Sequence, residues 1–158
     1  MEMALVIDPD KCTGCRQCEL ACSSRHTGAY NPARSRIVVF DFQEERGKFV
    51  PYTCTQCDQA WCQQVCPVEA ITNENGVKVV NEAICVGCKV CTIACPFGTI
   101  NYDPASGKVI KCDLCGGDPA CAAACPTDAI VYTDIAVQGY EKMREWAAKT
   151  DTAPQASA

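Results

Sequence analysis

A small α+β fold made of two pseudo-repeated modules, one inserted into the other, is what this sequence predicts. Three observations carry it. Sixteen of the 158 residues are cysteine, and they fall into four groups of four. The groups alternate regular, expanded, regular, expanded in spacing, the mark of an internal duplication. Short β-prone segments at 4–7 and 130–133 flank the outermost groups and are suited to pair with each other.

The third group is the most informative. Residues 84–100 read ICVGCKVCTIACPFGTI, with Cys85, Cys88, Cys91 and Cys95 followed at once by Pro96. This is the bacterial iron–sulfur run C-x2-C-x2-C-x3-C-P, in which three cysteines hold one [4Fe–4S] cluster and the fourth reaches another. Cysteines three apart on a tight loop can aim their sulfurs at three corners of one cube. Pro96 has no N–H to donate and turns the chain out after the fourth. The first group, Cys12, Cys15, Cys18 and Cys22, repeats the spacing and the lead-in, VIDPDKCTGC against VVNEAICVGC. The second, Cys54, Cys57, Cys62 and Cys66, and the fourth, Cys112, Cys115, Cys121 and Cys125, share an expanded loop and a tail, CPVEAI against CPTDAI.

Two other cysteine chemistries compete. Disulfide scaffolds belong to small secreted chains, yet the segment MEMALVIDPDK is acidic and has no apolar signal core, so the expected location is cytoplasmic. Zinc sites pair two C-x2-C elements per tetrahedron, whereas here the groups are tight fours and there is a single histidine. The formal net charge of −5 counts every thiol as neutral, and ligation makes it more negative. Such a chain is a poor candidate for nucleic acid or an anionic membrane surface. No apolar run reaches the ~20 residues of a membrane span. With cluster shells replacing much of an apolar core, the apo chain is not expected to fold.

The link between Cys66 and Cys85 carries a loop around Gly76 and a strand at Val77–Val80, which joins groups two and three into one module. Groups one and four, with the terminal strands, form the other; pairing one with two and three with four would leave those strands without partners. Between groups one and two, Ile37–Phe42 and 49–52 are β-prone around a polar turn at 44–48, a hairpin packed on a module. His26 is read as a surface or hydrogen-bonding residue, since the cysteines already complete four cubes. Arg25, Arg34 and Arg36 are read first as solvated loop charges, and second as partners of an acidic surface or of cluster charge. Trp61 is read as a shield over a cluster. Beyond residue 133, Ala136, Tyr140, Met143 and Ala147 recur at helical spacing beside Trp146, giving a helix over 134–150 that either lies on its own modules or docks a partner. A small polar tail, DTAPQASA, follows and is expected to be disordered.

Over residues 4–133 this pattern resembles the four-cluster electron-transfer subunits of molybdenum and tungsten oxidoreductases, formate dehydrogenases and related hydrogenases. The compact CDLCGGDPACAAACP group looks most like the small subunit of tungsten-dependent aldehyde oxidoreductases. One departure is the absence of proline after Cys22, where a nested chain would leave for the inner module. The implied fold is α+β, with two ferredoxin-like bacterial dicluster modules. Its expected division is an outer module at 1–24 plus 108–135, a hairpin insertion at 25–53, an inner module at 54–107, and a helix and tail at 136–158. Nesting, combined with the crossed fourth ligand of two-cluster ferredoxins, gives four ligand sets. The inner module has Cys54, Cys57, Cys62 and Cys95 on one cluster and Cys66, Cys85, Cys88 and Cys91 on the next. The outer module has Cys12, Cys15, Cys18 and Cys125 on one, and Cys22, Cys112, Cys115 and Cys121 on the other.

A cube held by four cysteines has no open coordination position, so it exchanges electrons and does not bind substrate. The sequence has no Ser–His–Asp set, phosphate loop, or flavin or pterin fingerprint. The expected function is therefore that of a non-catalytic electron-transfer subunit carrying four [4Fe–4S] clusters. Its expected partners are a large catalytic subunit of pterin type and, as acceptor, a flavin subunit or soluble carrier, with head-to-tail self-association as a further reading. The alternatives are a free diffusible polyferredoxin and a protein whose metals are purely structural.

Overall fold

The computed structural model describes residues 3–151. Of the expected disordered tail, Asp151 ends the last helix and the rest lies outside the described residues. Eight described strands pair as four antiparallel two-stranded ribbons: β1 (Met3–Ile7) with β8 (Ile130–Asp134), β2 (Ile37–Phe42) with β3 (Lys48–Thr53), β4 (Ile71–Glu74) with β5 (Val77–Val80), and β6 (Asn101–Asp103) with β7 (Lys108–Ile110). The terminal strands meet as their sequence suggested, with Val6 opposite Val131 and Ile7 opposite Ile130. Six helices intervene, α1 (Gln17–Thr27), α2 (Gln43–Arg46), α3 (Trp61–Gln64), α4 (Val90–Ala94), α5 (Ala120–Ala123) and α6 (Ile135–Asp151).

Two apolar cores form, each built partly from cysteine. One joins both ends of the chain: Cys18, Cys22, Cys121 and Ile130 pack with Ile37 and Val39 of the β2–β3 hairpin. The other is drawn from the middle: Cys62, Cys85 and Cys91 pack with Ala60, Ala70, Ile71, Ile100 and Val109. Strand β7 pairs with β6, and Val109 belongs to the middle core. Residues 108–110 therefore pair and pack with the middle residues, although the expected outer module begins at 108. The reason is the β6–β7 ribbon, which the short polar connection DPASG hid in the sequence.

Local chemistry explains the other departures. In the β4–β5 hairpin Asn75 and Gly76 both take positive φ, 53° and 89°, the Asn-Gly turn that matches strand twist. The strand before it, ITNE, buries only Ile71, which left no alternation to read. Between β2 and β3 the expected turn contains the one-turn helix α2, closed by Gly47 at φ 64° with its N–H on the Gln43 carbonyl. Helix α1 runs on past Cys22 to Gly28, because no proline stops it there. Helix α4, in contrast, ends where Cys95–Pro96 begins. On α6, Tyr140, Met143 and Trp146 are all exposed, so the expected stripe is not buried on the chain's own modules.

All four cysteine groups share one backbone device. The residue just before each second cysteine is left-handed: Gly14 (φ 73°), Gln56 (52°), Gly87 (69°) and Leu114 (56°). Three of the fourth cysteines are followed by a second such position, at Glu69, Gly98 and Asp128. Alternating right- and left-handed residues turn successive N–H groups into a concavity that favours a bound anion.

Arg25 is exposed as expected, but Arg34 and Arg36 correct the expectation of solvated charges. Arg34 donates from Nη2 to Asp103 Oδ2 at 2.7 Å, and Arg36 from Nη1 to Asp113 Oδ2 at 2.6 Å. Asp103 is buried on β6, so Arg34 ties the insertion to the inner ribbon. Burial opposes the charge on Asp103, but hydrogen bonds from Ser106, Arg34 and the Ala105 N–H hold its pKa below the usual carboxylate value.

Three outcomes are expected. Arg34→Ala leaves Asp103 without its cation and should cost about 1–3 kcal/mol, seen as a lower thermal midpoint that adding Asp103→Asn partly restores. Gly87→Ala should cost about 3 kcal/mol or more, because its Cβ would collide with the Gly107 carbonyl oxygen at a left-handed φ. Gly14→Ala should cost less, since its Cβ meets only the movable Phe49 ring.

Candidate metal centres

All sixteen cysteines are free thiols. Cysteines from different sequence groups come close to one another. Cys54, Cys57 and Cys62 line one cavity of about 250 Å³ together with Cys95, which comes from the next group. Cys91 feels the charges of Cys88 and Cys85, and also of Cys66 from the group before. Cys121 is surrounded by Cys112, Cys115 and the distant Cys22. Cys12 and Cys15 act on Cys18, and Cys12 and Cys125 pack against the same core as Cys18. The neighbourhoods also touch in series: Cys18 bears on Cys121, and Cys54 on Cys112.

The donor chemistry suits [4Fe–4S] clusters. Burial pushes the Cys18 thiol up to about 12, and the charges of Glu19, Cys15 and Cys12 add to it. Burial likewise raises Cys91 to about 11 and Cys112 to about 11, and raises Cys121 as well. Such sulfurs would be costly as bare thiolates in the interior and become acceptable when iron takes their charge. At Cys95 burial also raises the pKa, but hydrogen bonds from Thr99 and the N–H groups of Phe97 and Gly98 outweigh it. Cys125 is lowered in the same way, burial being outweighed by Thr127 and the N–H groups of Ile130 and Ala129. These hydrogen bonds favour the thiolate form at Cys95 and Cys125.

Further hydrogen bonds reach the sulfurs. The Arg36 N–H donates to Cys22 Sγ at 3.3 Å, Ala70 N–H to Cys66 Sγ at 3.3 Å, and Gln56 N–H to Cys54 Sγ at 3.5 Å. Bonds of this kind orient ligands and tune cluster potential. Of its two expected roles His26 takes the hydrogen-bonding one: its Nε2 lies 3.6 Å from Cys115 Sγ and 3.5 Å from Asp113 Oδ1. Burial and the Arg36 charge hold its pKa below the ordinary value. His26, Asp113 and Cys115 bring their donor atoms within 4.8 Å of one another. Asp113 is already engaged by Arg36, however, and Cys115 belongs to the cysteine neighbourhood, so this trio acts as the sulfur's outer support. Trp61 lines the mouth of the first cavity while remaining half exposed.

Sequence reasoning gave no role to Gln56, Lys78 or Lys111. Gln56 Nε2 donates to the Cys112 carbonyl at 2.7 Å, and its Oε1 accepts from Lys78 N–H at 3.0 Å and Lys111 Nζ at 3.3 Å. It thereby joins two cysteine neighbourhoods. These partners lie 22 to 56 residues away along the chain, and no local pattern announces them.

Models of a 4Fe-4S dicluster domain match residues 45–135 and 4–75. The polyferredoxin-like subunit of the aliphatic sulfonate oxidoreductase of Pyrococcus furiosus is 43% identical over 111 residues, covering 69% of this chain and 63% of that one. Formate hydrogenlyase subunit 2 of Escherichia coli K12 is 39% identical over 104 residues, covering 65% of this chain and 49% of that one. The matched stretch is thus less than two thirds of either relative's length. A polypeptide in the active-site complex BamBC of benzoyl coenzyme A reductase with 1,5 dienoyl-CoA superposes with a TM-score of 0.50 at 31% identity, covering 84% of this chain and 75% of that one. With the first domain model spanning more than half of its residues, over cysteine neighbourhoods suited to cubane iron–sulfur clusters, this protein belongs to the 4Fe-4S dicluster domain family.

Proposed function

We propose that this chain is a non-catalytic electron-transfer subunit that holds four [4Fe–4S] clusters in series and carries single electrons between a catalytic oxidoreductase subunit and an acceptor. The observation that supports the reading is the approach of cysteines from different groups, Cys95 to Cys54, Cys57 and Cys62, Cys66 to Cys91, and Cys22 to Cys121; with four sulfurs to each cluster no iron would be open to substrate. The ligand sets are Cys12, Cys15, Cys18 and Cys125; Cys22, Cys112, Cys115 and Cys121; Cys54, Cys57, Cys62 and Cys95; and Cys66, Cys85, Cys88 and Cys91. The pairing of β1 with β8 and the core shared by both chain ends support an outer module that encloses an inner one.

When bound, each cluster supplies reversible one-electron chemistry without a proton or an organic intermediate. The chain's own residues hold the sulfurs, exclude water from the buried ones and keep neighbouring sites in register. Gln56 performs the last task by tying the Cys54–Cys57 loop to the Cys112 carbonyl. The sets at the two ends of the series each include one exposed cysteine, Cys15 in one and Cys88 in the other, which supports entry and exit at opposite ends. Around Cys88 the side chains of Ile84, Val86, Val90 and Ile93 are exposed, an apolar rim suited to a protein partner.

The catalytic partner is proposed to be a large pterin-type subunit, and more narrowly a tungsten-dependent aldehyde oxidoreductase, on the strength of the CDLCGGDPACAAACP group. A flavin subunit or soluble carrier is the proposed acceptor. The exposed apolar side chains of α6 favour a docking role for that helix, toward such a subunit or a second copy. No helix among the described residues is long and apolar enough to cross a membrane. A cytoplasmic location is proposed, since all sixteen cysteines are free thiols and none forms a disulfide.

Purified anaerobically, the protein should contain four cubes' worth of iron and sulfide, bleach with dithionite and oxidise neither aldehyde nor formate. Turnover by this subunit alone, or zinc in place of iron, would overturn the reading. Affinity capture from native extract should bring down a stoichiometric pterin subunit; capture of no partner would favour a freely diffusing polyferredoxin. Cys54→Ser and Cys95→Ser should perturb the same electron paramagnetic resonance signal, although the residues lie in different groups. Chelating the iron should unfold the chain, read as loss of its circular dichroism at wavelengths reporting helix and strand.

A further inference from the structure

Lys78 and Lys111 are 3% and 2% exposed, an unusual degree of burial for lysine. Both line the cavity shared by Cys54, Cys57, Cys62 and Cys95. Lys111 Nζ donates to the Cys112 carbonyl at 2.9 Å, to Gln56 Oε1 at 3.3 Å and to the Lys78 carbonyl. Lys78 Nζ donates to the Gly76 carbonyl at 3.1 Å. Every one of these acceptors is neutral. Among the described residues neither lysine forms a salt bridge with a carboxylate, although six other basic side chains do. A buried ammonium that is hydrogen-bonded but has no counter-anion is a strongly unfavourable arrangement by itself. The anion available on this side of the cavity is the ring of four thiolates, and the charge of Lys111 already acts on Cys62.

The opposite arrangement occurs at Cys18. Its neighbour Glu19 is 2% exposed, with Oε1 accepting the Val39 N–H at 2.7 Å. Among the described residues Glu19 Oε2 has no hydrogen bond, and the exposed Arg16 lies 3.6 Å from it. One neighbourhood thus has two buried cations, and another a buried carboxylate.

Resting on the four-cluster reading above, we propose that Lys78 and Lys111 are the built-in countercharge of the Cys54, Cys57, Cys62 and Cys95 set, holding its cluster at a higher potential than the cluster of Cys12, Cys15, Cys18 and Cys125. Reduction places one electron on a cluster with no accompanying proton, so it adds one negative charge. Two ammonium groups in a weakly screened interior stabilise that charge, whereas the Glu19 carboxylate opposes it. The series is then graded, with an inner site that accepts an electron readily and an end site that gives it up readily. Lys78 and Lys111 are positioning residues in this scheme, and touch no substrate.

The test is a dithionite titration of the intact holoprotein followed by electron paramagnetic resonance, with signals assigned through Cys57→Ser and Cys15→Ser. In the unaltered protein the signal perturbed by Cys57→Ser should be reduced at the higher potential. Lys111→Met, with its iron content intact, should lower the equilibrium constant for reducing that cluster at least tenfold, about 59 mV for one electron. It should leave the Cys15 signal in place. Lys78→Met should shift the same signal in the same direction, and Lys111→Arg, which keeps the charge, should restore it. The reverse order in the unaltered protein would overturn the proposal. So would a fully loaded Lys111→Met protein in which no signal moves, or in which both move equally. If Lys111→Met loses iron, the unaltered protein's order and Lys78→Met decide. Loss of the four-cluster reading itself would show separately, as an unaltered protein lacking the expected iron.

Discussion

Burying sulfur that must carry negative charge is the constraint on which this structure depends. In both cores cysteine occupies the places that valine or leucine holds elsewhere, and burial drives Cys18, Cys91, Cys112 and Cys121 away from ionisation. Iron resolves the conflict by taking the charge, so metal binding and folding become one process. The rest of the chain is correspondingly spare. Four two-stranded ribbons would be marginal by themselves in water and are held by what they pack against.

The backbone answers the same constraint. Left-handed residues recur at equivalent positions of all four groups, and two of them are not glycine: Gln56 and Leu114. A non-glycine residue in that region is a local cost that persists only where its surroundings fix it. At Gln56 the fixing contacts are visible, since its side-chain amide reaches Cys112, Lys78 and Lys111. One residue thus shapes a loop, bridges two cysteine neighbourhoods and anchors a buried cation.

Features encoded by short-range spacing were legible in the sequence: the four groups, the β2–β3 hairpin, the terminal strands and α6. Those strands could be matched because each flanks a cysteine group. The β6–β7 ribbon was hidden, because three-residue strands have no period to detect. Arg34 and Arg36 looked like ordinary loop charges because Asp103 and Asp113 lie 69 and 77 residues away. The same holds for Lys111, whose burial depends on a carbonyl of Lys78 brought up by folding. The place of His26 against Cys115 required the α1 helix to run past Cys22.

The antiparallel pairing of β1 with β8 also imposes an order on biosynthesis. A nascent chain that has emerged through residue 111 already has every cysteine of the two inner ligand sets proposed here. Of the two outer sets, one then lacks only Cys125, while the other has only Cys22. The inner half can therefore receive its iron while the ribosome is still translating. The first cysteines made must wait, with β1 unpaired, until the strand at Ile130–Asp134 emerges to close the sheet. On those proposed sets, the segment around β1 would mature after the segment that follows it in the sequence, with its thiols exposed in the interval.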